Sequence, residues 1–303
     1  MNVRTIILSL FLLAMPFHVG AATVSPATID LIGNRNDVVL STFSITNTQD
    51  TEAIYYLDTL AFQAKDETGE PKFTEQAENT LAEWIVLTSE SVRVPARSKG
   101  DVPFTIQVPA DIASGSYQSA ITVSSAPSDI VATNGAIVEA KTAILVFLTV
   151  QGETQAQAAL MDFEVGGWIR TDVPSSYKVR IQNQGNVYAT PSGSITLKDV
   201  FGRVLQTIPV NEAHQRVLPK TTRTFTTEPE PPQSFLTKLS WQARHLSIGP
   251  IRAELELLSG EGFAPIRATH VFWYFPFPLL FVLLLAGLVI TFGYKRLSRL
   301  KSS

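Results

Sequence analysis

The chain has 303 residues, a formal net charge of −3 at pH 7 and no cysteine, which excludes disulfides, thiol catalysis and cysteine-type zinc sites. Every acidic residue lies between Asp30 and Glu261, whereas five of the 24 basic residues lie in the terminal segments, so the part between the apolar ends carries about −8. This charge disfavours nucleic acid, which is itself anionic, as a partner.

The first apolar segment, residues 6–17, follows Arg4 and is followed by small residues. A bilayer-spanning helix needs about 20 residues, so this segment is too short to cross a membrane. A basic start, an apolar core and small residues are typical of a secretory signal. We predict that residues 1–22 are such a signal, cleaved beside Ala21 or Ala22, with an uncleaved anchor as the alternative.

Strand patterns dominate the next segment, residues 23–150, which we predict to be a first β-sandwich. Residues 102–108 alternate apolar and polar with a period of two, as half-buried strands do. A closing strand is predicted over residues 142–150, with Ile144, Val146 and Leu148 on one face. A short helical turn is predicted between residues 75 and 84.

After a small, polar linker at 151–159, residues 160–268 repeat the same order of signals. In each half a strand ends in asparagine, at Asn47 and at Asn183, and a later hairpin turn ends in glycine, at 65–69 and at 198–202. A strand-opening proline and a glycine-led strand follow in both halves. We predict an all-β fold of two tandem immunoglobulin-like sandwiches, with Trp241 facing inward on a strand with Leu239, and a spacer from residue 260 to the membrane.

The last apolar segment, residues 272–294, has no charged residue, and its prolines fall in a first helical turn, where they are tolerated. We predict a transmembrane helix there and a basic cytoplasmic tail at 295–303, because basic residues favour the cytoplasmic side. The predicted partner is therefore the lipid bilayer, crossed once, with both sandwiches extracellular. The predicted membrane-interface residues are Phe272, Trp273, Tyr274, Tyr294, Lys295, Arg296, Arg299 and Lys301.

Residues that could carry chemistry are few and scattered, so we predict no catalytic residue, no metal, no cofactor and no enzymatic activity. His214 and His245 have no second histidine at metal-ligand spacing. The acidic stretch 66–70 lacks the ligand pattern of a calcium loop and fits a solvated hairpin tip. Residues 218–222 come close to a sortase signal but lie some fifty residues before the apolar segment that such a signal must directly precede.

Tryptophan raises one open alternative. Trp84 and Trp168 each open an apolar run, and exposed tryptophan can stack on sugar rings. Burial in a core or at a domain junction is the alternative that we favour for both.

The segment 22–27 and the segment 109–117, which contains Pro109, Gly115 and Tyr117, resemble parts of a peptidoglycan-binding domain. The order of signal, two sandwiches, one span and a basic tail is similar to that of the WxL-interacting surface proteins of Gram-positive bacteria. The resemblance implies a surface-anchored protein that binds cell wall or partner proteins, and it carries over no ligand residue.

Three functions follow as hypotheses. The first is a membrane-anchored binder of cell wall or of another surface protein. The alternative is a structural or assembly protein, chaperone-like, that holds partners by pairing with an edge strand. The third is a hydrolase with an unrecognised site. Fold alone does not separate them.

Overall fold

A computed structural model describes residues 23–74, 80–125, 141–167, 169–174, 176–230 and 234–301, with side chains described up to residue 296. The predicted signal with Ala21 and Ala22, and also Trp168, lie outside these residues. The chain divides into two compact units. Unit 1 comprises Met1–Gln63 with Phe73–Glu153, and unit 2 comprises Ala64–Lys72 with Thr154–Ser303.

Unit 1 is a two-sheet β-sandwich. One sheet has the order β1-β3-β8-β6, and the other has the order β2-β10-β9-β4-β5, with β7 also pairing with β4. The elements are β1 Thr23–Ser25, β2 Thr28–Gly33, β3 Val38–Thr46, β4 Ala53–Ala64, β5 Pro71–Thr74, α1 Leu81–Trp84, β6 Ile85–Leu87, β7 Ser91–Val94, β8 Lys99–Gln107, β9 Gly115–Ser124 and β10 Lys141–Val150.

The chain changes sheets between β1 and β2. The Ser25–Pro26 peptide bond is cis, and beyond it β2 runs parallel to β10 in the opposite sheet. Period-two alternation puts apolar side chains of both sheets into one core, where the predicted face of β10, Ile144, Val146 and Leu148, is fully buried. That prediction is confirmed.

Unit 2 contains a second sandwich, with one sheet in the order β11-β13-β16 and the other in the order β12-β18-β17-β14-β15. All-β architecture in two tandem sandwiches is thereby confirmed. The elements are β11 Ala158–Val165, β12 Ile169–Arg170, β13 Tyr177–Asn183, β14 Ser192–Lys198, β15 Val204–Val210, β16 Thr222–Thr227, α2 Phe235–Arg244, β17 Gly249–Leu258, β18 Ile266–Tyr274 and α3 Phe277–Lys301.

The end of the second sandwich differs from the prediction. Strand β18 continues to Tyr274, and Phe272 and Tyr274 lie in the second core, exposed by 0% and 1%. Residues 260–262 form the turn between β17 and β18 rather than a spacer. The apolar helix therefore begins at Phe277, five residues after the predicted start at Phe272.

The segment predicted as a strand around Trp241 is helix α2. Ser234 and Thr237 form a capping box: the Ser234 hydroxyl accepts from the Thr237 amide, and the Thr237 hydroxyl accepts from the Ser234 amide. This cap selects a helix over the strand that the alternation of Leu239 and Trp241 suggested. Trp241 packs against the second core and stacks on His245.

The predicted internal repeat has a structural basis in two buried asparagines. The Asn47 amide donates to the carbonyls of Thr51, Val94 and Pro95, and its oxygen accepts from the Gln49 amide. The Asn183 amide donates to the carbonyls of Val187 and Val217, and its oxygen accepts from the Gly185 amide. Each asparagine thus bonds at i+2 and i+4 and ties its turn to a distant strand end.

Candidate partner-binding edge and membrane-proximal surface

Edge strands decide where a β-sandwich can accept another strand, because they have backbone groups that no neighbouring strand pairs. Natural proteins protect such edges with proline, charge, bulges or short length. The edges of both units can therefore be compared strand by strand over the described residues.

The edges of unit 2 are protected. Strand β11 has a register shift between Leu160 and Asp162, and its sequence AALMDFEV contains two acidic residues. Strand β12 has only two residues, and strand β15 contains Pro209. On β16, the Thr224 amide donates to the Glu67 carbonyl, and the Glu67 carboxylate accepts from Arg180.

Most edges of unit 1 are also protected. Strands β1 and β6 have three residues each, which gives a partner little to pair with. Strand β5 begins with Pro71 and Lys72, and β7 contains Arg93.

Strand β2 is the exception among the described edges. Its six residues, TIDLIG, contain no proline and no basic residue, and Asp30 is the one charge. The Ile32 side chain is 66% exposed. A mostly apolar edge of this length, without proline, is the kind that pairs readily with a further strand.

The direction of the β2 backbone follows from two hydrogen bonds with the β10 side. The Leu145 amide donates to the Ala27 carbonyl, and the Gln151 amide donates to the Gly33 carbonyl, 2.9 Å away. The backbone N–H and C=O groups of successive residues point to alternate sides of a strand. The backbone groups of the odd-numbered residues of β2 therefore face β10. The backbone groups of residues 28, 30 and 32 therefore face away from the sheet.

Strand β10 also extends past β2. It pairs with β9 from Lys141 to Val150, but its register with β2 begins only at Leu145. On the β2 side, none of the described strands lies beside Ala143 and Ile144. A strand added in line with β2 or beside it would meet a sheet that is already in place.

The predicted membrane-interface residues fall into two groups. Phe272 and Tyr274 are core residues, as described above, so their prediction as interface residues is wrong. Trp273 is 43% exposed on the opposite face of β18 and stacks on Phe275, which stacks on Phe277, with 6.0 Å between the ring centroids in both pairs.

The remaining predicted interface residues, Tyr294, Lys295, Arg296, Arg299 and Lys301, lie on α3. Residues Phe277–Arg296 of this helix contain an 18-residue window with a mean hydropathy of 2.3, of which 6% is buried. By length and composition the helix can cross a membrane, and exposure of nearly its whole surface is unlike a core helix of a soluble protein.

Gln242 joins helix α2 to the start of α3. Its side chain is buried, its oxygen accepts from the Leu279 amide at 3.2 Å, and its amide donates to the Thr171 carbonyl at 3.2 Å. The Phe277 amide donates to Phe275, and Pro278 has no amide hydrogen to satisfy. The first-turn donors of α3 are thereby all accounted for.

A pocket of about 350 Å³ opens beside α2, lined by Arg170, Asp172, Gln206, Lys238 and Trp241 among others. Lys238 donates to Asp172 across 2.6 Å. The other two charged residues of the lining, Arg170 and Glu230, have opposite signs, so the pocket has no strong preference for an anion or a cation.

Residues considered for chemistry have structural roles. Asp66 accepts hydrogen bonds from the amide and the hydroxyl of Thr68 inside its own turn. Both bonds lower the Asp66 pKa, the bond from the hydroxyl more than the bond from the amide. Trp84 is 6% exposed, lies in the first core and contacts Tyr117 with its ring tilted by 55°, which confirms its placement in the core. Among the described residues, no group of three His, Cys, Asp or Glu side chains could hold a metal.

No family model matches the chain, and no curated protein matches it. Similar solved structures include a chaperone–tip adhesin complex of CFA/I fimbriae, at 12% identity and a TM-score of 0.42, which covers 84% of this chain and 99% of that one. Another is the class 5 fimbriae chaperone CfaA, at 12% identity and a TM-score of 0.41, with 83% of this chain and 98% of that one covered. A third is the Pseudomonas aeruginosa CupB2 chaperone, at 12% identity and a TM-score of 0.38, with 84% of this chain and 100% of that one covered. The WxL resemblance is supported only in its general β-sandwich architecture.

Proposed function

We propose that this protein is a membrane-anchored, non-enzymatic assembly protein that holds another protein by strand addition to β2. This is the alternative hypothesis of the sequence analysis. The observation that carries it is the contrast between β2 and the other described edges: β2 is long enough to pair, contains no proline and has an exposed Ile32.

Strand addition supplies affinity through main-chain hydrogen bonds and specificity through alternate side chains. The outward backbone groups of residues 28 and 32 face the position of an added strand. Six residues at about 3.3 Å each offer an edge of about 20 Å.

Anchoring through α3 is the second component of the proposal. A span at Phe277–Arg296, followed by basic residues, would tether both sandwiches to the outer side of a membrane. A tethered assembly protein keeps its partner near the membrane and raises its local concentration there. Cell-wall binding stays a separate prediction, which no geometry of the described residues favours.

The decisive experiment compares Ile32→Pro with Ile32→Thr in the full-length chain, produced in its own cells and recovered with chemically cross-linked partners. Proline removes the outward amide of residue 32 and leaves the bonds between β2 and β10 in place, because those bonds use odd-numbered residues of β2. Threonine shortens the same side chain but keeps the amide.

We expect a cross-linked protein partner with wild type and with Ile32→Thr, and its loss with Ile32→Pro. Hydrogen exchange of β10 checks that the proline variant keeps its sheet. Equal capture by all three forms, with β10 intact, would refute pairing at β2. Recovery of wall polymer without a protein partner would return the cell-wall hypothesis to first place.

A further inference from the structure

Helix α2 begins with two large apolar side chains that the second core does not cover. Phe235 is 59% exposed and Leu236 is 75% exposed. Both follow Ser234, the N-cap of the helix. Scattered exposed apolar residues are common, but two adjacent ones at a helix start require an account when they adjoin another apolar surface.

That apolar surface is the beginning of α3. Phe235 shares an open groove with Thr171 and with five residues of the first two turns of α3: Phe277, Pro278, Leu280, Phe281 and Leu284. All five belong to the stretch that is long and apolar enough to cross a membrane. The exposed start of α2 is therefore continuous with the candidate span.

One polar bond joins α2 to the start of α3, and others join α2 to the segment that follows β12. Gln242 bonds both the Leu279 amide and the Thr171 carbonyl, and Lys238 pairs with Asp172. Gln242 lies near the end of α2, and the groove places Phe235, at its start, beside the first turns of α3. If α3 enters a bilayer, both ends of α2 therefore lie next to its entry point.

The length of the groove along α3 matches the thickness of a membrane interface. Leu284 lies seven residues after Phe277, which is about 10 Å along a helix. Amphipathic helices at membrane surfaces bury their apolar side chains about 5–10 Å into the boundary between headgroups and acyl chains. The stacked Trp273, Phe275 and Phe277 rings adjoin the same helix start, and tryptophan is one of the two residue types enriched at that boundary.

The polar groups of α2 are compatible with this placement. The capping box satisfies backbone donors at the end that would meet the acyl chains. The sequence of the helix, FLTKLSWQAR, has two basic residues and no acidic one, so the helix itself carries no charge that would repel anionic headgroups.

We propose that α2 is an interfacial helix, with Phe235 and Leu236 seated in the headgroup–acyl boundary of the bilayer that α3 crosses. This inference rests on the membrane anchor of the proposed function and not on strand pairing at β2. It adds a second attachment to the bilayer, which would restrict how the second sandwich tilts on its anchor.

The test uses the full-length chain in vesicles of equal parts phosphatidylcholine and phosphatidylglycerol. Because the chain has no cysteine, single cysteines can be introduced and labelled with an environment-sensitive fluorophore. Leu236→Cys reports on α2. Leu258→Cys is the matched control, since Leu258 is an exposed leucine at the far end of β17. The near end of that strand, Gly249, pairs with Tyr274 just before α3, and Leu258 lies about 30 Å along the strand from it. Val289→Cys, 71% exposed, reports on the span.

We expect lipids spin-labelled near the headgroup to quench the label at residue 236 several-fold more than the label at residue 258. Lipids spin-labelled deep in the acyl chain should quench the label at 289. Equal, weak quenching at 236 and 258, with residue 289 quenched, would overturn this inference alone. No quenching at 289 would overturn the anchor as well. A label at residue 236 that is in an apolar environment but is not quenched by the lipids, and that becomes exposed to water on dilution with lipid, would show that a second copy fills the groove. That result also overturns the proposal.

Discussion

The two sandwiches form the same corner on a buried asparagine, but they leave different surfaces exposed. Asn47 and Asn183 are both fully buried and both bond at i+2 and i+4. The first sandwich has the unprotected edge β2, whereas the edges of the second carry a bulge, charges and a proline. Features common to both sandwiches therefore explain folding, and features that differ point to function.

The largest expected effect comes from removing the corners. Asn47→Ala leaves three carbonyls, one amide and the Tyr55 hydroxyl without their partner, and Asn183→Ala leaves two carbonyls and one amide. Each buried group left without a partner costs about 1–3 kcal/mol before relaxation. We expect losses in unfolding free energy of about 3–5 kcal/mol for Asn47→Ala and about 2–4 kcal/mol for Asn183→Ala.

Hydrogen exchange with mass spectrometry measures each sandwich separately, so each loss should appear only in its own unit. Asn34→Ala is the control, because Asn34 bonds only Asp37 on the surface. Its effect should stay within about 0.5 kcal/mol. Equal losses for all three variants would contradict the role of the corners.

The next effect separates the ends of the two sandwiches. Gln242→Ala removes the acceptor of the Leu279 amide and the donor to Thr171 in the second unit. We expect a loss of about 1–3 kcal/mol there, since the atoms involved are sheltered from water. Exchange at β17 and β18 should rise while β9 and β10 stay unchanged. Unchanged exchange at β17 would contradict the joining role assigned to Gln242.

A pH effect distinguishes the two hairpins. Burial raises the pKa of Asp199, but hydrogen bonds from the Arg203 amide and guanidinium and from the Phe201 amide outweigh it, so the pKa lies below its usual 3.8. A lowered folded pKa stabilises the fold above pH 3.8, and this contribution is lost as the pH falls through the lowered value. Acid should therefore weaken the β14–β15 hairpin.

Asp199→Asn should reduce stability at neutral pH by about 1 kcal/mol and flatten its acid dependence. Asp66→Asn is the matched variant, because Asp66 begins the other hairpin turn and is exposed. We expect a smaller change there, measured by acid titration of hydrogen exchange in both hairpins. A steeper acid dependence in Asp199→Asn would contradict the assignment.

The smallest effect tests β2 itself. Ile32→Thr should change the unfolding free energy by less than about 0.5 kcal/mol, because the side chain is mostly exposed. Ile29→Thr should cost about 2 kcal/mol, because Ile29 is 7% exposed and packs in the first core. Similar losses in chemical denaturation would show that Ile32 is a folding residue, not a surface available to a partner.

Local patterns predicted much of this fold. The period of two located strands such as β8 and β10, and strand ends at Asn47 and Asn183 revealed the repeat. Glycines at φ 80° and 79° close both predicted hairpins, at Gly69 and Gly202, because only glycine takes that conformation without strain. These signals depend on a few neighbouring residues and therefore survive in the sequence.

The candidate site was harder to predict. The sequence of β2 reads as an ordinary strand, and its openness depends on which strands lie beside it. Phe272 and Tyr274 read as a membrane belt because they adjoin an apolar run, yet the pairing of β18 with β17 places them in the core. The capping box of Ser234 and Thr237 was the signal that could have revealed α2.

By itself the sequence determined the two sandwiches, their shared corners and hairpins, and an apolar helix at the end of the chain, since periodicity, turn chemistry and composition are local properties. The tertiary structure alone decided that β2 crosses to the second sheet and has no further described strand beside it, that β18 ends in the core, and that Gln242 ties α2 to α3. Those outcomes depend on contacts between residues far apart in sequence, such as Gln242 with Leu279 and Leu145 with Ala27, which no local pattern encodes.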